Sequence, residues 1–255
     1  MFLAIDIGNT NTVIGVYDND KLVNSWRLVS NNTKTVDEYW IVTKLFCDNA
    51  GIDVNKIEGA IIGSVVPELT LNFYQMVSKY FHKESVIVSD KINLGFELKV
   101  EMPDTVGADR ICNVAAVREQ YSLPAVVIDL GTATTFDVVD EQGDYIGGAI
   151  SSGIYTSSGE LSRKAAKLSN IELKNPVHYI GKTTEEHLLT GIFTGHIAMI
   201  EGLVARMEKE YNGKFTVIAT GGLSQEIADN CDIIQKADKS LTLEGLRILF
   251  QRNKN

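Results

Sequence analysis

The chain has 255 residues, with 24 Lys or Arg against 33 Asp or Glu, so its formal net charge is −9. That length can bury a sizeable core as one large domain or two small ones, and 44% hydrophobic with 22% charged residues is typical of a soluble globular protein. The acidic balance argues against nucleic acid and anionic membranes as partners, because both call for a basic face. The net negative charge is still compatible with a phosphorylated ligand if backbone N–H groups, a few cationic side chains and a metal ion bind the phosphates at the site itself.

The spacing of the cysteines and the N-terminal sequence indicate the cellular compartment in which the protein is expected. The three cysteines stand far apart and form no C-x-x-C pair, so a zinc site or disulfide framework is not expected. The chain reaches Asp6 too soon for the apolar region of a signal peptide, and no uncharged apolar stretch approaches about 18 residues. We therefore expect a cytoplasmic protein.

Three short strands are predicted at the start of the chain, in the order of a β-meander. Apolar runs cover Phe2 to Ile7, Val13 to Tyr17 and Leu22 to Leu28, and the turns between them contain Gly, Asn and Asp. These turn residues tolerate positive φ angles. A second meander is predicted further along, with strands at 125–130, 136–139 and 145–150.

Helical and apolar segments alternate after each meander. Pro67 is placed to open one helix in its first turn, and Thr183 with Glu186 can form the capping box of another. The predicted helices cover 36–49, 68–82, 111–117, 157–168 and 183–211. Short apolar runs that could be strands cover 59–66, 86–89, 215–219 and 233–234. This order predicts an α/β fold of mixed β-sheets flanked by helices.

The two meanders are copies of one motif. Asp6-Ile-Gly-Asn-Thr-Asn-Thr-Val-Ile-Gly-Val16 aligns without a gap on Asp129-Leu-Gly-Thr-Ala-Thr-Thr-Phe-Asp-Val-Val139, and Asp, Gly, Thr and the final Val recur at one offset (129 − 6 = 123). A repeat of this size indicates two copies of one supersecondary unit. We divide the chain into halves at 1–118 and 119–255 and expect the ligand in a cleft between them.

Each copy places a Gly- and Thr-rich turn between two strands. Such a turn presents N–H and hydroxyl groups to one small volume, which suits a polyphosphate. Asp6, at the end of the first strand, could hold Mg²⁺ directly or through water. A single turn of this kind could be explained by the turn propensity of its residues alone. Two of them, each between the first two strands of a meander, indicate a function.

The two turns resemble the phosphate motifs of the sugar kinase, heat-shock ATPase and actin superfamily, and the whole chain is most similar to the type III pantothenate kinases. The resemblance implies a duplicated actin-like (ribonuclease H-like) two-lobed fold, a homodimer, and phosphorylation of pantothenate with ATP at the start of coenzyme A synthesis. It also implies that Asp129 coordinates a monovalent cation, K⁺ or NH₄⁺. The ATP-binding residues that it implies are Asp6, Ile7, Gly8, Asn9, Thr10, Asn11, Thr12, Val13 and Thr132.

A further constellation, Val106-Gly-Ala-Asp-Arg110, leads into a predicted helix. Asp109 suits a helix N-terminus and could be only a cap, but Arg110 opposes the helix dipole there. Local conflict of this kind is common at functional sites. Gly-Ala-Asp-Arg is also the diagnostic motif of the resembled family. The resemblance implies that Asp109 is the general base for the acceptor hydroxyl, that Arg110 holds the pantothenate carboxylate, and that Gly107 and Ala108 line the pocket.

Two other segments have ambiguous signals. Gly221 and Gly222 follow a predicted strand, and the resemblance places adenosine there, although a strand-end turn explains them equally well. Gly181-Lys-Thr183 is not a Walker A loop, because Pro176 stands where that loop needs glycine. Thr184, which follows it, either contacts pantothenate, as the resemblance implies, or caps the long helix.

Four positions around the acceptor depart from the family pattern, namely Val100, Met102, Ser152 and Thr183. They keep open a kinase of another small hydroxy acid or sugar, and a regulatory homologue without turnover is the third possibility. The apolar stretch 188–207 is either a buried core helix or a dimer contact.

Overall fold

The computed structural model describes residues 1–164 and 172–254, which form two compact units. The first unit comprises Met1–Gln120 and Ser240–Asn255, and the second comprises Tyr121–Lys239. The predicted division placed everything from residue 119 onward in the second half, so it did not anticipate that the C-terminal residues belong to the first unit.

A mixed five-stranded sheet forms the centre of the first unit, in the order β3-β2-β1-β4-β5. Its first strand pairs antiparallel with the second and parallel with the fourth. The strands are β1 (Phe2–Ile7), β2 (Asn11–Asp18), β3 (Lys21–Val29), β4 (Ala60–Ser64) and β5 (Ser85–Ile87). The central β1 is buried along nearly all its length, which is why it reads as an unbroken apolar run in the sequence.

The second unit repeats this sheet, in the order β10-β9-β6-β7-β8. The strands are β6 (Ala125–Leu130), β7 (Ala133–Val139), β8 (Tyr145–Ser152), β9 (Thr216–Gly221) and β10 (Lys236–Ala237). The identical connectivity confirms the predicted duplication and the α/β class. The apolar run at 233–234 is not a strand, since the short β10 begins two residues later and pairs with β9.

The gap-free alignment of the two motifs is wrong beyond the first turn. Asp6 pairs with Val13 in the first sheet, whereas Asp129 pairs with Thr135 in the second. The offset between the copies therefore falls from 123 at β1 and β6 to 122 at β2 and β7 (135 − 13 = 122). The second hairpin turn is one residue shorter than the first.

Helices flank both sheets, and their ends follow local sequence signals. Pro67 begins one helix, and the predicted capping box of Thr183 and Glu186 is present. The helices are α1 (Val36–Asn49), α2 (Pro67–Met76), α3 (Ala108–Gln120), α4 (Ile154–Lys164), α5 (Thr184–Leu189), α6 (Gly195–Tyr211), α7 (Ser224–Ala228) and α8 (Leu241–Asn253). π-type turns continue α2 at Val77–Phe81 and join α5 to α6 at Thr190–Thr194.

Two predicted helices differ from the structure in their bounds or surroundings. The helix expected at 157–168 begins earlier, at Ile154, and its last four residues lie outside the described residues. The combined helix Thr184–Tyr211 is long and apolar enough to cross a membrane by length and composition alone. Its buried residues, including Ile200, pack in the apolar core of the second unit beneath β6 and β9, as a core helix does.

Candidate active site

Ser30 holds the first hairpin turn, which joins β1 to β2. The Gly8 N–H donates to the Asn11 carbonyl across the turn at 3.0 Å. Ser30, directly after β3, donates its hydroxyl to the Gly8 carbonyl at 2.6 Å and its N–H to the Thr10 carbonyl at 3.0 Å. The buried Thr12 hydroxyl lies 2.9 Å from the Ser30 hydroxyl. These bonds fix the main chain of the turn, so its remaining donors need little rearrangement to meet a ligand.

The residues predicted to bind ATP in this hairpin differ in how far they are exposed to solvent. Asn9 and Thr10 are exposed at the tip of the turn. Ile7 and Thr12 are only 1% and 0% exposed as whole residues, so almost no part of either is accessible to a nucleotide. The sequence motif names eight consecutive positions, but the structure presents the side chains of only part of them.

Asp109 lies in the first turn of α3, where its carboxylate folds back over the helix N-terminus. Its Oδ1 accepts from the N–H of Arg110 at 2.8 Å. A Cβ on Gly107 would lie 2.5 Å from that same oxygen, so a larger residue there would displace the carboxylate. Gly107 is required by this close approach. The carboxylate is half-buried, as is the Arg110 side chain.

The first sheet brings Asp6 and Asp109 into one neighbourhood. β1 pairs Asp6 with Gly63 of β4, and a Cβ on Gly63 would lie 3.4 Å from Cys112 Sγ and 3.9 Å from Ala108 Cβ. The small residue lets the start of α3 pack closely against β4. The pKa of the Cys112 thiol is raised well above its usual range, first by burial and then by the negative charges of Asp6 and Asp109. The packing of Ala108 and Cys112 on Gly63 therefore brings the start of α3, which carries Asp109, next to the strand pair that carries Asp6.

An open groove of about 900 Å³ extends from the start of α3 along α2. Gly107 and Ala108, which were predicted to line the acceptor pocket, contribute to its wall. Most of the lining is apolar, with Leu71, Tyr74 and Ile87 among its residues. Sequence reasoning missed these three, because apolar residues at helical or strand spacing carry no chemical signal of their own.

The second hairpin turn, between β6 and β7, is fixed from different neighbours. The Gly131 N–H donates to the Ala133 carbonyl at 3.0 Å. The Thr132 carbonyl accepts from the Gly153 N–H at 3.0 Å and from the Thr156 hydroxyl at 2.7 Å. A Cβ on Gly153 would lie 2.6 Å from that carbonyl oxygen, so only glycine fits directly after β8.

With the offset of 122 that the strand pairing gives after the first turn, Thr10 and Thr132 are equivalent residues. Each carbonyl accepts an N–H bond of 3.0 Å from the residue that follows the third strand of its meander, Ser30 or Gly153. The two threonines predicted to contact ATP therefore occupy the same place in the two units. Both are exposed at their turns.

Asp129 lies beside the glycine pair predicted for adenosine. Parallel pairing of β6 with β9 puts Asp129 opposite Thr220 and Leu130 opposite Gly221. Gly221 has φ +93°, and a Cβ on it would lie 2.7 Å from both Asp129 Oδ1 and the Leu130 carbonyl oxygen. The strand ends thus bring together the cation and adenosine motifs, which were predicted separately from distant parts of the sequence.

Thr184 is the exposed first residue of α5, and the N-cap is Thr183, whose hydroxyl accepts from the Glu186 N–H at 3.2 Å. The capping alternative for Thr184 is therefore wrong.

Among the described residues, no group of three or more His, Cys, Asp or Glu could hold a metal ion. A metal ion at the candidate site would therefore be coordinated by a single carboxylate together with other oxygen atoms, including those of the bound substrate.

Solved structures of the same fold cover nearly the whole chain. A protein from Campylobacter jejuni, described as a conserved putative Baf family transcriptional activator, has a TM-score of 0.63 at 20% identity and is covered to 98%, with 99% of this chain. A ROK hexokinase from Thermus thermophilus has a TM-score of 0.53 at 11% identity, with 97% of each chain covered. At these identities the likeness concerns the fold alone, and that fold is the duplicated actin-like α/β fold of sugar kinases.

Sequence similarity identifies the family. The model of the type III pantothenate kinases matches residues 2–206. A type III pantothenate kinase of Exiguobacterium sp. (strain ATCC BAA-1283 / AT1b) is 43% identical over 253 residues, which are 99% of each chain. One from Moorella thermoacetica is also 43% identical over 253 residues, covering 99% of this chain and 100% of the relative. The chain therefore belongs to the type III pantothenate kinase family, as its motifs indicated.

Proposed function

We propose that this protein transfers the γ-phosphoryl group of ATP to the hydroxyl group of pantothenate, giving 4′-phosphopantothenate in the first step of coenzyme A biosynthesis. Membership in the family over the full chain supports this activity. The observation that carries it is the pairing of Asp6 in β1 with Gly63 in β4, whose Cβ position lies 3.4 Å from Cys112 Sγ and 3.9 Å from Ala108 Cβ at the start of α3. It puts the phosphate hairpin and the candidate base at the same end of one sheet.

Positioning and charge neutralisation supply most of the rate enhancement in phosphoryl transfer, since the transition state is loose. The first hairpin can supply both, because its main chain is already fixed by Ser30 while Asn9 and Thr10 stay exposed for the phosphates. Thr132 has the equivalent place in the second hairpin. Gly221 and Gly222 would let the backbone approach the flat adenosine closely.

Asp109 is the proposed general base. A carboxylate cannot deprotonate an alcohol fully in advance, but it can orient the hydroxyl and accept its proton late in the transfer. The Arg110 N–H bond to Oδ1 fixes the carboxylate, leaving Oδ2 for the acceptor hydroxyl. The Arg110 guanidinium is suited to bind the acceptor carboxylate in a bidentate manner. Thr184 is proposed to contact the same substrate.

Cations are proposed at two carboxylates. Asp6 would bind Mg²⁺, and Asp129 with nearby carbonyl oxygen would bind a monovalent cation, K⁺ or NH₄⁺. The fit rests on chemistry: Asp129 Oδ1 and the Leu130 carbonyl oxygen both lie 2.7 Å from the Cβ position of Gly221, so two hard oxygen donors lie close together beside that glycine. Bound cations would offset the negative charge of the phosphates.

We also propose that the protein is cytoplasmic and homodimeric. The dimer is proposed from the resemblance noted in the sequence, and a sizing column coupled to light scattering tests it directly. A mass of one chain in solution would refute it.

The activity is tested by acceptor-dependent ADP release. Purified protein with ATP, Mg²⁺ and K⁺ should release ADP only when pantothenate is added, and mass spectrometry should show the acceptor with one phosphoryl group. Equal release with unrelated hydroxy acids or sugars would favour the second candidate, to which the departure at Val100 points. No release with any acceptor would favour a regulatory homologue.

Asp109→Asn tests the base. Asparagine keeps an oxygen that can accept the Arg110 N–H, so the fold should be retained while turnover falls by roughly 10²- to 10⁴-fold. Asp48→Asn is the matched control, because Asp48 is exposed and pairs with Lys44 at 2.6 Å on the surface of α1. Wild-type turnover in Asp109→Asn would show that the base is assigned wrongly.

A further inference from the structure

A buried hydrogen bond joins the strand behind the second phosphate hairpin to α6. Thr134 Oγ1 lies 3.0 Å from His196 Nε2. Thr134 is 0% exposed and His196 is 7% exposed. Burial lowers the pKa of His196, which favours the neutral ring, and one nitrogen of a neutral ring accepts while the other donates. Water has little access to this pair, so each group depends on the other for its hydrogen bond.

Comparison of the two repeats shows why this bond is needed. Thr12 is the equivalent of Thr134 in the first repeat, and its hydroxyl lies 2.9 Å from that of Ser30, which in turn donates to the turn at 2.6 Å. The position of Ser30 is taken by Gly153 in the second repeat, and glycine has no hydroxyl. Thr134 therefore finds its partner in a helix instead of in its own meander.

The helix that supplies His196 is irregular immediately before it. The π-type turn Thr190–Thr194 joins α5 to α6, and such turns are frequent at functional sites. Within the part of the chain that the structure describes, the buried Thr194 Oγ1 has no hydrogen-bond partner. A regular helix would place the histidine at another angle around the axis, since each residue turns the helix by about 100°.

We propose that His196 is a positioning residue of the nucleotide site: through Thr134 it holds the hairpin turn at Gly131–Ala133 in the geometry that binds phosphate. The inference rests on the proposed function and adds to it a residue that touches neither substrate. Because the hairpin serves the nucleotide, loss of the bond should weaken nucleotide binding and leave the affinity for the acceptor unchanged.

The test is a double-mutant cycle read out as the Kd of ADP with Mg²⁺, measured by calorimetry without acceptor. His196→Leu and Thr134→Val should each weaken ADP binding about tenfold, because a buried polar group left without its partner costs about 1–3 kcal/mol and 1.36 kcal/mol is tenfold. The double variant should be no weaker than either single one. His196→Gln and Thr134→Ser, which keep a polar group, should stay within about threefold of wild type.

Kinetics and a control complete the test. The KM for ATP should rise in the two disruptive variants while the KM for pantothenate stays constant. His187→Leu is the matched control, because His187 is an exposed histidine on α5 whose Nε2 lies 2.9 Å from the Gly181 carbonyl oxygen. Unchanged ADP affinity in Thr134→Val would overturn the proposal, and so would independent losses that multiply in the double variant.

Two further points keep the result decisive. If His196→Leu does not fold, Thr134→Val gives the same test, since valine has the shape of threonine. The ADP measurement needs no acceptor, so it still decides the role of His196 if the wild-type protein does not phosphorylate pantothenate.

Discussion

Gly245 of α8 lies where that helix crosses α3, and its replacement by alanine is a sensitive test of how Asp109 is held. Gly245 is buried, and its Cβ would overlap the Cys112 carbonyl oxygen and lie 2.5 Å from the carbonyl carbon and 2.8 Å from Cα. These are main-chain atoms, so no side-chain rotation can relieve the overlap. Cys112 follows Asp109 by three residues, about one turn of α3.

The magnitude follows from the distances. An ordinary Cβ contact is 3.4 Å or more, so relieving the overlap with the carbonyl oxygen requires the helices to separate by about 1.5 Å. Overpacking of this kind costs about 1–3 kcal/mol, and the better helix propensity of alanine offsets about 1 kcal/mol of it. A displacement of about 1 Å at a catalytic group lowers turnover on the order of 100-fold. Gly245→Ala should therefore impair turnover much more than stability.

The assay pairs kcat from ADP release with the free energy of unfolding from urea denaturation. Gly159→Ala is the control, because Gly159 is an exposed glycine inside α4, and among the described residues no atom outside its own stretch of helix lies within 4 Å of its Cβ position. That variant should gain about 0.5–1 kcal/mol and keep its kcat. A folded Gly245→Ala protein with wild-type kcat would refute the reasoning that α8 sets the position of Asp109.

Three further predictions follow from other contacts. Gly153→Ala should raise the KM for ATP at least about tenfold, because its Cβ would lie 2.6 Å from the Thr132 carbonyl, and an unchanged KM would contradict this. Ser30→Ala should lower the free energy of unfolding by about 1 kcal/mol in urea denaturation, since the Gly8 carbonyl loses its donor, and no loss would mean that water replaces it. Iodoacetamide at pH 8 should label the native thiols at least about 100-fold more slowly than the unfolded ones, because burial raises their pKa and keeps them protonated; labelling at equal rates would contradict it. Burial raises the pKa to about 11 at Cys47 and Cys231, and well above the usual range at Cys112.

Much of the fold could be predicted because local patterns agree with it. The central strands β1 and β6 are buried on both faces and read as apolar runs, and Pro67 and Thr183 mark helix starts correctly. α8 was not predicted, although Leu246, Leu249 and other apolar residues recur along it at helical spacing. Its place in the first unit depends on tertiary packing, which no local pattern contains.

The candidate site was predicted as separate motifs, and the structure adds how they meet. That Asp6 and the start of α3 lie near each other depends on the pairing of β1 with β4 and on a small residue, Gly63, in β4. The sequence did not reveal that the second hairpin turn is one residue shorter, because Thr and Val residues also match when the two motifs are aligned without a gap. The bond between Thr134 and His196 spans 62 residues, and a histidine in an apolar helix usually means packing.

The duplicated halves have diverged in what supports each hairpin, and α8 shows the extent of that divergence. α3 and α8 each follow the last strand of a sheet, so they are equivalent by chain order, yet both belong to the first unit. α3 begins with the Gly-Ala-Asp-Arg motif that contains the proposed base, whereas α8 packs on it and donates a hydrogen bond of 2.9 Å from Thr242 to the buried Asn113. One copy of the helix thus carries the proposed catalytic residues, and the other packs against it. A duplicated fold can therefore specialise because the second copy of an element is free to become the structural support of the first.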